Sequence, residues 1–199
     1  MKFILFALAF LSLTAQARES LVCRNETMYD RDLREIHRFT FSSHCQKALQ
    51  QSRQYRGYFC DNELMLNDRG LRLRQFTFSS HCERALMQSL NDHRLFCDGS
   101  DLVGRYGLVR QFSFSSECSK AIQSVTFMGQ LCDDSVMINV YQGEIYRFSF
   151  TSECTEALAT ARIYRGRFCE KGMLYDHYGR ILSQHRSQGS CLSFLRGEG

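Results

Sequence analysis

The chain has 199 residues and a formal net charge of +4, with 16 phenylalanines, nine tyrosines, no proline and no tryptophan. A charge this small does not argue for nucleic acid as a partner, and no segment beyond the N-terminal residues is long and apolar enough to predict a membrane-spanning helix. Ten cysteines, an even number, instead indicate a disulfide framework formed in an oxidising compartment.

Residues 1–17 have the features of an export signal. A short positive start precedes an apolar run over residues 3–13, and Ala15-Gln16-Ala17 fits the small-x-small cleavage pattern. Val22, which precedes Cys23, is bulky where a lipoprotein site needs a small residue. We therefore expect a signal peptide at residues 1–17 and an exported single repeat domain at residues 18–199, either periplasmic or extracellular.

The cysteines recur along the chain with alternating gaps of 22, 15, 22, 15, 21, 14, 22, 15 and 22 residues. Self-similarity at such a period is typical of one supersecondary unit repeated in tandem. We predict five repeats of 36–37 residues, called modules 1 to 5 here, at about residues 21–57, 58–94, 95–129, 130–166 and 167–199.

Module 2 shows the predicted elements most clearly. Two extended runs, residues 59–66 and 71–78, flank Asn67-Asp68-Arg69-Gly70 and predict a hairpin. Ser80 with Glu83 predicts a capping box that starts a helix, and apolar residues three, four and often seven positions after the second cysteine give that helix one buried face. Gly57, Gly129 and Gly166 are predicted to end helices.

The predicted fold class is therefore α+β: five tandem, disulfide-bridged ββα (hairpin-helix) modules stacked as a short solenoid-like array. A closed five-part ring is the alternative. Module 5 lacks the aromatic-rich motif that precedes the second cysteine in the other modules. Because the terminal copies of an open array face water and are often atypical, this favours the open stack.

Two disulfide schemes follow the repeat. Pairing between consecutive modules leaves Cys23 and Cys191 over, and only a closed ring would join them. Pairing within each module uses every cysteine, so we predict that scheme. Its bridges are Cys23–Cys45, Cys60–Cys82, Cys97–Cys118, Cys132–Cys154 and Cys169–Cys191.

The second predicted strand carries a repeated polar pattern. Paired phenylalanines are expected on one face of the strand, and the residues between them on the other face. Guanidinium, amide and hydroxyl groups suit a polar polymer, although the solvated face of a half-buried sheet has the same pattern. The candidate ligand-binding residues are Arg38, Thr40, Gln75, Thr77, Gln111, Ser113, Arg147 and Ser149.

Residues that could carry catalysis or hold a metal are few. No recognisable catalytic motif is present, and acidic residues after each first cysteine are interpreted as exposed. One repeated position holds His44, His81, Glu117 and Glu153. It lies in the first helical turn, where the helix dipole favours acidic residues, and equivalent positions are one module apart. We therefore predict no metal, no cofactor and no enzymatic activity.

The leading functional hypothesis is an exported, non-enzymatic binding or adhesion protein. Its partner would be extended and polar, such as an envelope glycan or another polyanion, or else another protein, because stacked modules present the same chemistry at regular spacing. A secreted, disulfide-stabilised inhibitor or effector is the alternative, with the loop at Asp92-His93-Arg94 as its candidate contact. A hydrolytic enzyme without a recognisable motif comes third.

Overall fold

The structure is a computed structural model that describes residues 21–197. The predicted signal peptide, residues 1–17, lies outside the described residues. Within them the chain is an α+β protein of five antiparallel three-stranded sheets, each followed by one helix. None of the helices described between residues 21 and 197 has the length and apolar character needed to cross a membrane.

Each module contributes three strands in sequential order and then its helix. In modules 1 to 3 these are β1 (Val22–Arg24), β2 (Thr27–Tyr29), β3 (Glu35–Arg38), α1 (Ser42–Gln54), β4 (Tyr58–Asp61), β5 (Leu64–Asn67), β6 (Arg72–Gln75), α2 (Ser79–Gln88), β7 (Phe96–Asp98), β8 (Asp101–Gly104), β9 (Gly107–Gln111) and α3 (Ser115–Ser124). In modules 4 and 5 they are β10 (Gln130–Asp133), β11 (Val136–Asn139), β12 (Gly143–Arg147), α4 (Thr151–Ile163), β13 (Phe168–Glu170), β14 (Met173–Tyr175), β15 (Ile181–Gln184) and α5 (Gln188–Arg196).

The module is therefore βββα, and the predicted ββα pattern is wrong by one strand. The run over residues 59–66 is not one strand, because it turns back at Asn62 and Glu63 so that Asp61 faces Leu64. Asn62 has a φ of 53°, and asparagine tolerates this left-handed conformation better than most residues do. The middle strand of each sheet also carries a register shift, as between Met65 and Leu66.

The predicted turn at residues 67–70 lies between the second and third strands. The Asn67 side-chain oxygen accepts hydrogen bonds from the backbone N–H groups of Arg69 and Leu71, both at 3.0 Å. Gly70 has a φ of 75°, and a Cβ atom there would lie 2.5 Å from the Ile36 carbonyl oxygen of module 1. In module 1, which has no glycine at this turn, Leu33 takes the left-handed conformation with a φ of 60°.

Two of the three glycines predicted to end helices lie at helix ends, one position later than expected. After α1, Arg56 takes the left-handed conformation first, and the N–H of Gly57 donates to the Ser52 carbonyl oxygen at 2.7 Å. Gly166 follows α4 in the same way, which is the hydrogen-bond pattern of a Schellman motif. The prediction is wrong for Gly129, which lies in a separate turn after α3.

The disulfides join the two cysteines of each module, as the within-module scheme predicts. Each bridge links the first strand to the first turn of the helix that follows the sheet. The pairs are Cys23–Cys45, Cys60–Cys82, Cys97–Cys118, Cys132–Cys154 and Cys169–Cys191. The second cysteine of every pair is fully buried. Five such bridges point to an oxidising, exported environment.

The hydrophobic cores are shared between consecutive modules. The core around the Cys60–Cys82 bridge contains Phe76 of module 2 and also Phe96, which belongs to the first strand of module 3. The two ring centroids lie 6.1 Å apart. Phe59, Leu131 and Phe168 occupy the corresponding place at the other three junctions. Each of modules 1 to 4 is thus completed by a residue of its successor.

Contacts between polar side chains accompany three of these junctions. A histidine or arginine side chain on the third strand of one module contacts a carboxylate at the end of the first strand of the next module. The pairs are His37 with Asp61 at 2.8 Å, Arg74 with Asp98, and Arg110 with Asp133 at 2.6 Å from Nε. The interpretation of these aspartates as exposed residues is therefore wrong, because each lies half-buried at a junction.

The fourth junction replaces the cation by Tyr146. Its ring packs against Phe168 and Tyr175, and burial, followed by the proximity of Tyr175, raises its pKa to about 12. Glu170 occupies the acidic position and is buried. Burial, and then the neighbouring Glu153, raise the pKa of Glu170, while Lys171 at 4.0 Å opposes this shift.

The core positions of module 5 differ from those of modules 1 to 4. Leu182 is 50% exposed, whereas the equivalent Leu73 of module 2 is 7% exposed. His185 stands where the other modules have a buried phenylalanine, and Phe194 stands where they have a buried alanine. The rings of His185 and Phe194 lie 5.0 Å apart, so Phe194 covers part of the surface that a sixth module would cover.

We expect Glu170→Gln to stabilise the protein at pH 7, because the raised pKa means that folding disfavours the ionised carboxylate. Below the ordinary glutamate pKa of 4.5 the Glu170 carboxyl is protonated in both the folded and the unfolded protein, so wild type loses no stability there. This stability is lost as the pH rises through the raised pKa of Glu170 in the folded protein. Thermal melts of wild type and variant should therefore differ at pH 7 and converge at pH 4 and below. Glu156→Gln, on the exposed face of α4, is the control. A Glu170→Gln protein that melts lower than wild type at pH 7 would contradict this assignment.

Candidate functional site

Four phenylalanines are exposed at equivalent positions, immediately before the helices of modules 1 to 4. Their side chains are 58%, 59%, 66% and 66% exposed, in the order Phe41, Phe78, Phe114 and Phe150. Scattered exposed apolar residues are normal on a protein surface. Here, however, phenylalanine is exposed at one equivalent position in four modules, which is not a scattered distribution. By contrast, the position of exposed Leu71 and Leu108 holds Glu144 and Arg180 in later modules.

The paired phenylalanines do not share one face, so that expectation is wrong. The first member of each pair, as in Phe112, is a core residue, whereas the second, as in Phe114, is exposed. The reason is that β9 ends at Gln111, before either phenylalanine. The chain then bends into the helix, so the alternation of faces that holds within a strand no longer applies.

Each exposed phenylalanine occupies the N-cap position of its helix. Serine, threonine, aspartate and asparagine are preferred there because their side chains accept a backbone N–H, and replacing them by alanine costs about 1 kcal/mol. Module 5 has Ser187 at this position, whose Oγ accepts from the Ser190 N–H at 3.2 Å. In modules 1 to 4 the residue is thus poor for the helix and exposed to solvent.

The predicted capping box at Ser80 and Glu83 is wrong, because α2 begins at Ser79 and Glu83 instead contacts Lys47 at 2.8 Å. The carboxylates that cap helices are Glu117 and Glu153. The Glu117 carboxylate accepts N–H groups from Ser113 and Phe114 at 3.1 and 3.0 Å, and Glu153 does the same in α4.

At the equivalent position of modules 1 and 2, His44 and His81 contact the exposed phenylalanine instead. Each forms an edge-on ring contact with it, at 5.2 and 5.3 Å between centroids. Within residues 21–197, no three histidine, cysteine, aspartate or glutamate side chains are grouped so that they could hold a metal ion.

All eight candidate ligand-binding residues are exposed beside these phenylalanines. Four end the third strands and four lie in the bend that leads to the helix; in chain order they are Arg38, Thr40, Gln75, Thr77, Gln111, Ser113, Arg147 and Ser149. Arg38 and Arg147 form ion pairs with Glu35 and Glu144 of their own strands, at 3.2 and 2.8 Å. We call these eight residues together with the four exposed phenylalanines the phenylalanine edge.

A small polar cleft opens between modules 1 and 2, lined by residues of α1, of α2 and of the turn after β4. Its volume is about 150 Å³, enough for a few water molecules or one small polar group, since a water occupies about 30 Å³. His44, which contacts Phe41, and Ser79, which follows Phe78, lie on its wall, with Asp61 and Lys47 nearby. The cleft therefore presents charged and hydroxyl groups beside His44, whose ring contacts the exposed Phe41.

The loop at residues 91–94, which differs from the corresponding loops of other modules, is held by one side chain. The Asn91 side-chain oxygen accepts N–H groups from His93 and Leu95, and its amide donates to the carbonyl oxygens of Gln88 and Leu95. The loop lies at the opposite end of the module from Phe78, where α2 ends and the next module begins. Its residues are therefore separate from the phenylalanine edge.

Comparison of the chain with protein-family models, with curated proteins and with solved structures found no match. The site is therefore described by its own geometry: a repeated exposed ring, flanked in each of four modules by hydroxyl groups and by an arginine or glutamine.

Substituting the two phenylalanines of module 3 separates exposed from buried roles. We expect Phe114→Ser to change the free energy of unfolding by less than about 1 kcal/mol, because a serine N-cap offsets the partial burial that is lost. Phe112→Ala, two residues away in the core, should cost about 3–5 kcal/mol. Denaturant unfolding measures both values. A loss at Phe114 as large as that at Phe112 would show that the exposed ring is needed for folding.

Proposed function

We propose that the protein is an exported, disulfide-stabilised binding protein without catalytic activity, and that it holds an extended polar partner along the phenylalanine edge. The observation that carries the proposal is the exposed phenylalanine at the N-cap of four successive helices. Such a ring contributes little to the helix and is unfavourable in water. A residue type repeated at a position where it stabilises the fold so little is best explained by an interaction with a partner.

The flanking groups favour a glycan as the partner. A sugar ring has an apolar face of C–H groups and a rim of hydroxyl groups. The aromatic face, which is negatively polarised, suits the C–H groups, while Thr40, Thr77, Ser113 and Ser149 with the neighbouring arginines and glutamines offer donors and acceptors to the rim. Repetition in four modules suits a chain that itself repeats.

This proposal includes an arrangement of the modules as an open, solenoid-like stack instead of a closed ring. Its support is the chemistry of the two ends. At the positions where the first three junctions pair a histidine or arginine with an aspartate, module 5 has Ser183 and module 1 has Arg24. These two residues would not form the contact found at the first three junctions. The altered core of module 5, with exposed Leu182, likewise fits a terminus of the stack.

The test is binding of the oxidised protein to immobilised glycans and polyanions at low and high salt. We expect binding that persists at high salt, because ring stacking and hydroxyl contacts are not screened as exposed charges are. Replacing Phe41, Phe78, Phe114 and Phe150 by serine should weaken binding by at least about tenfold, as expected of aromatic anchors. Arg38→Ala with Arg147→Ala should weaken it further with little loss of stability.

The matched control replaces four exposed apolar residues elsewhere by serine, namely Leu71, Leu108, Ile163 and Ile181. It should bind like wild type. Binding that disappears at high salt, or that survives in the phenylalanine variant, would reject the proposed edge. Absence of glycan and polyanion binding would reject the glycan and direct the search for partners to proteins.

A further inference from the structure

A second group of functional side chains lies at the other end of the third strands, on what we call the turn edge. It is formed by the loop at residues 91–94 and by the turns that carry Tyr106, Tyr141 and Tyr178 in modules 3, 4 and 5. The third strand of each module, such as β12, separates this edge from the phenylalanine edge by roughly 15–20 Å, at about 3.3 Å per residue. The two edges are therefore separate surfaces.

Beneath the turn edge lies a buried hydroxyl group without a hydrogen-bond partner. Tyr58, the first residue of β4, is 1% exposed, and its hydroxyl finds no partner within the described part of the chain. Buried polar groups in proteins are nearly always hydrogen-bonded, and one left unsatisfied costs stability. Burial raises the pKa of Tyr58 to about 12, so at neutral pH the hydroxyl keeps its proton and is available as a donor.

Two arginines from consecutive modules lie close enough to Tyr58 to act on its hydroxyl electrostatically. Arg94 of the 91–94 loop and Arg105 of the β8–β9 turn both interact electrostatically with Tyr58 and with Tyr141. Neither guanidinium has a carboxylate within 4.0 Å among residues 21–197. Asp68 also acts on Tyr58, but more weakly than either arginine. Within the described part of the chain the Arg94 and Arg105 guanidinium groups therefore have no ion-pair partner.

The cluster is held in place by contacts between modules 2, 3 and 4. His93 Nδ1 and the Tyr141 hydroxyl lie 3.0 Å apart, which joins the loop that ends module 2 to a turn of module 4. Asn91 fixes the same loop through four hydrogen bonds. The Arg105 guanidinium lies 5.9 Å from the centroid of the Tyr106 ring. The loop and the turns that carry these donors are thus tied to one another before any ligand binds.

We propose that Arg94, Arg105, Tyr58 and Tyr141 form a binding site for a single tetrahedral oxyanion, the phosphate or sulfate group of an ester. Two guanidinium forks match the oxygens of such a group, and the phenol hydroxyls supply further donors. Arginine side chains have several rotatable bonds, so both guanidinium groups can turn to contact the anion. The oxyanion supplies the acceptor that Tyr58 lacks and the counter-charge that the two arginines lack.

The first test is calorimetric titration of the whole oxidised protein with inorganic phosphate and with inorganic sulfate, at one fixed ionic strength. We expect one saturable site in wild type and at least tenfold weaker binding in Arg94→Gln/Arg105→Gln. Arg84→Gln/Arg186→Gln, which removes the same charge from exposed positions elsewhere, should bind like wild type. Equal binding by all three proteins, or no saturable binding by wild type, would overturn the proposal.

Tyr58→Phe provides a second, independent readout. In buffer free of phosphate and sulfate we expect this variant to melt higher than wild type, because it removes an unsatisfied buried hydroxyl and leaves the ring. Phosphate should raise its melting temperature less than that of wild type, since one donor to the anion is missing. A variant that melts lower than wild type in that buffer would show that the hydroxyl already has a partner, and would overturn the role of Tyr58.

The source of the group is distinguished by two ester ligands, phenyl phosphate and a sulfated oligosaccharide, titrated in parallel. Binding of either that depends on Arg94 and Arg105 supports the site, and the tighter ligand identifies the ester. Failure of both, with inorganic anions bound, would overturn the assignment to an ester. Because the site lies away from the phenylalanine edge, the serine variants of that edge should retain phosphate binding, so the two proposals fail separately.

Discussion

The insertion of one residue from each module into the core of the preceding module is the constraint on which the rest of the structure depends. A single module of this size buries too little surface to be stable alone. Its disulfide holds the first strand to the helix, but the core stays open on one side until Phe59, Phe96, Leu131 or Phe168 of the next module fills it. The contacts of His37, Arg74 and Arg110 with an aspartate of the next module then fix the register of consecutive modules, while in module 5 Phe194 packs against His185.

This arrangement leaves both ends of the third strands free for other roles. Many residues at the two ends of the third strands are exposed and can contact a partner. At one end the four exposed phenylalanines repeat with hydroxyl groups beside them, and at the other end tyrosines and arginines gather around Tyr58. The chemistry differs, since the first edge suits an uncharged polar chain and the second an anionic group. Under the two proposals, the protein holds two features of the same partner or two different partners.

The spacing of the cysteines was sufficient to predict the number of modules and the pairing of the bridges, because both follow from the repeat alone. One of the three strands in each module was missed. Residues 59–66 form a continuous apolar-bearing run that resembles one strand, although they belong to β4 and β5. The indication was present two residues after the first cysteine of modules 1 to 4, where Asn25, Asn62, Gly99 and Asp134 all tolerate a positive φ, and Lys171 takes the same conformation in module 5. The exposure of Phe114 and the burial of Phe112 could not be predicted from the alternation of faces along a strand, because β9 ends at Gln111, before both residues. The junction ion pairs and the arginines around Tyr58 join residues of different modules, and packing between modules is not encoded in any local pattern.

The shared core is tested most directly by amide hydrogen exchange on Phe96→Ala. Phe96 belongs to module 3 in the sequence but packs against Cys82, Ala85 and Leu86 of module 2. Removing its ring should cost about 3–5 kcal/mol, and we expect the amides of α2 (Ser79–Gln88) to lose protection at least as much as those of α3, while α4 stays protected. Loss of protection confined to residues 95–129, with α2 unchanged, would contradict the conclusion that each module is completed by its successor.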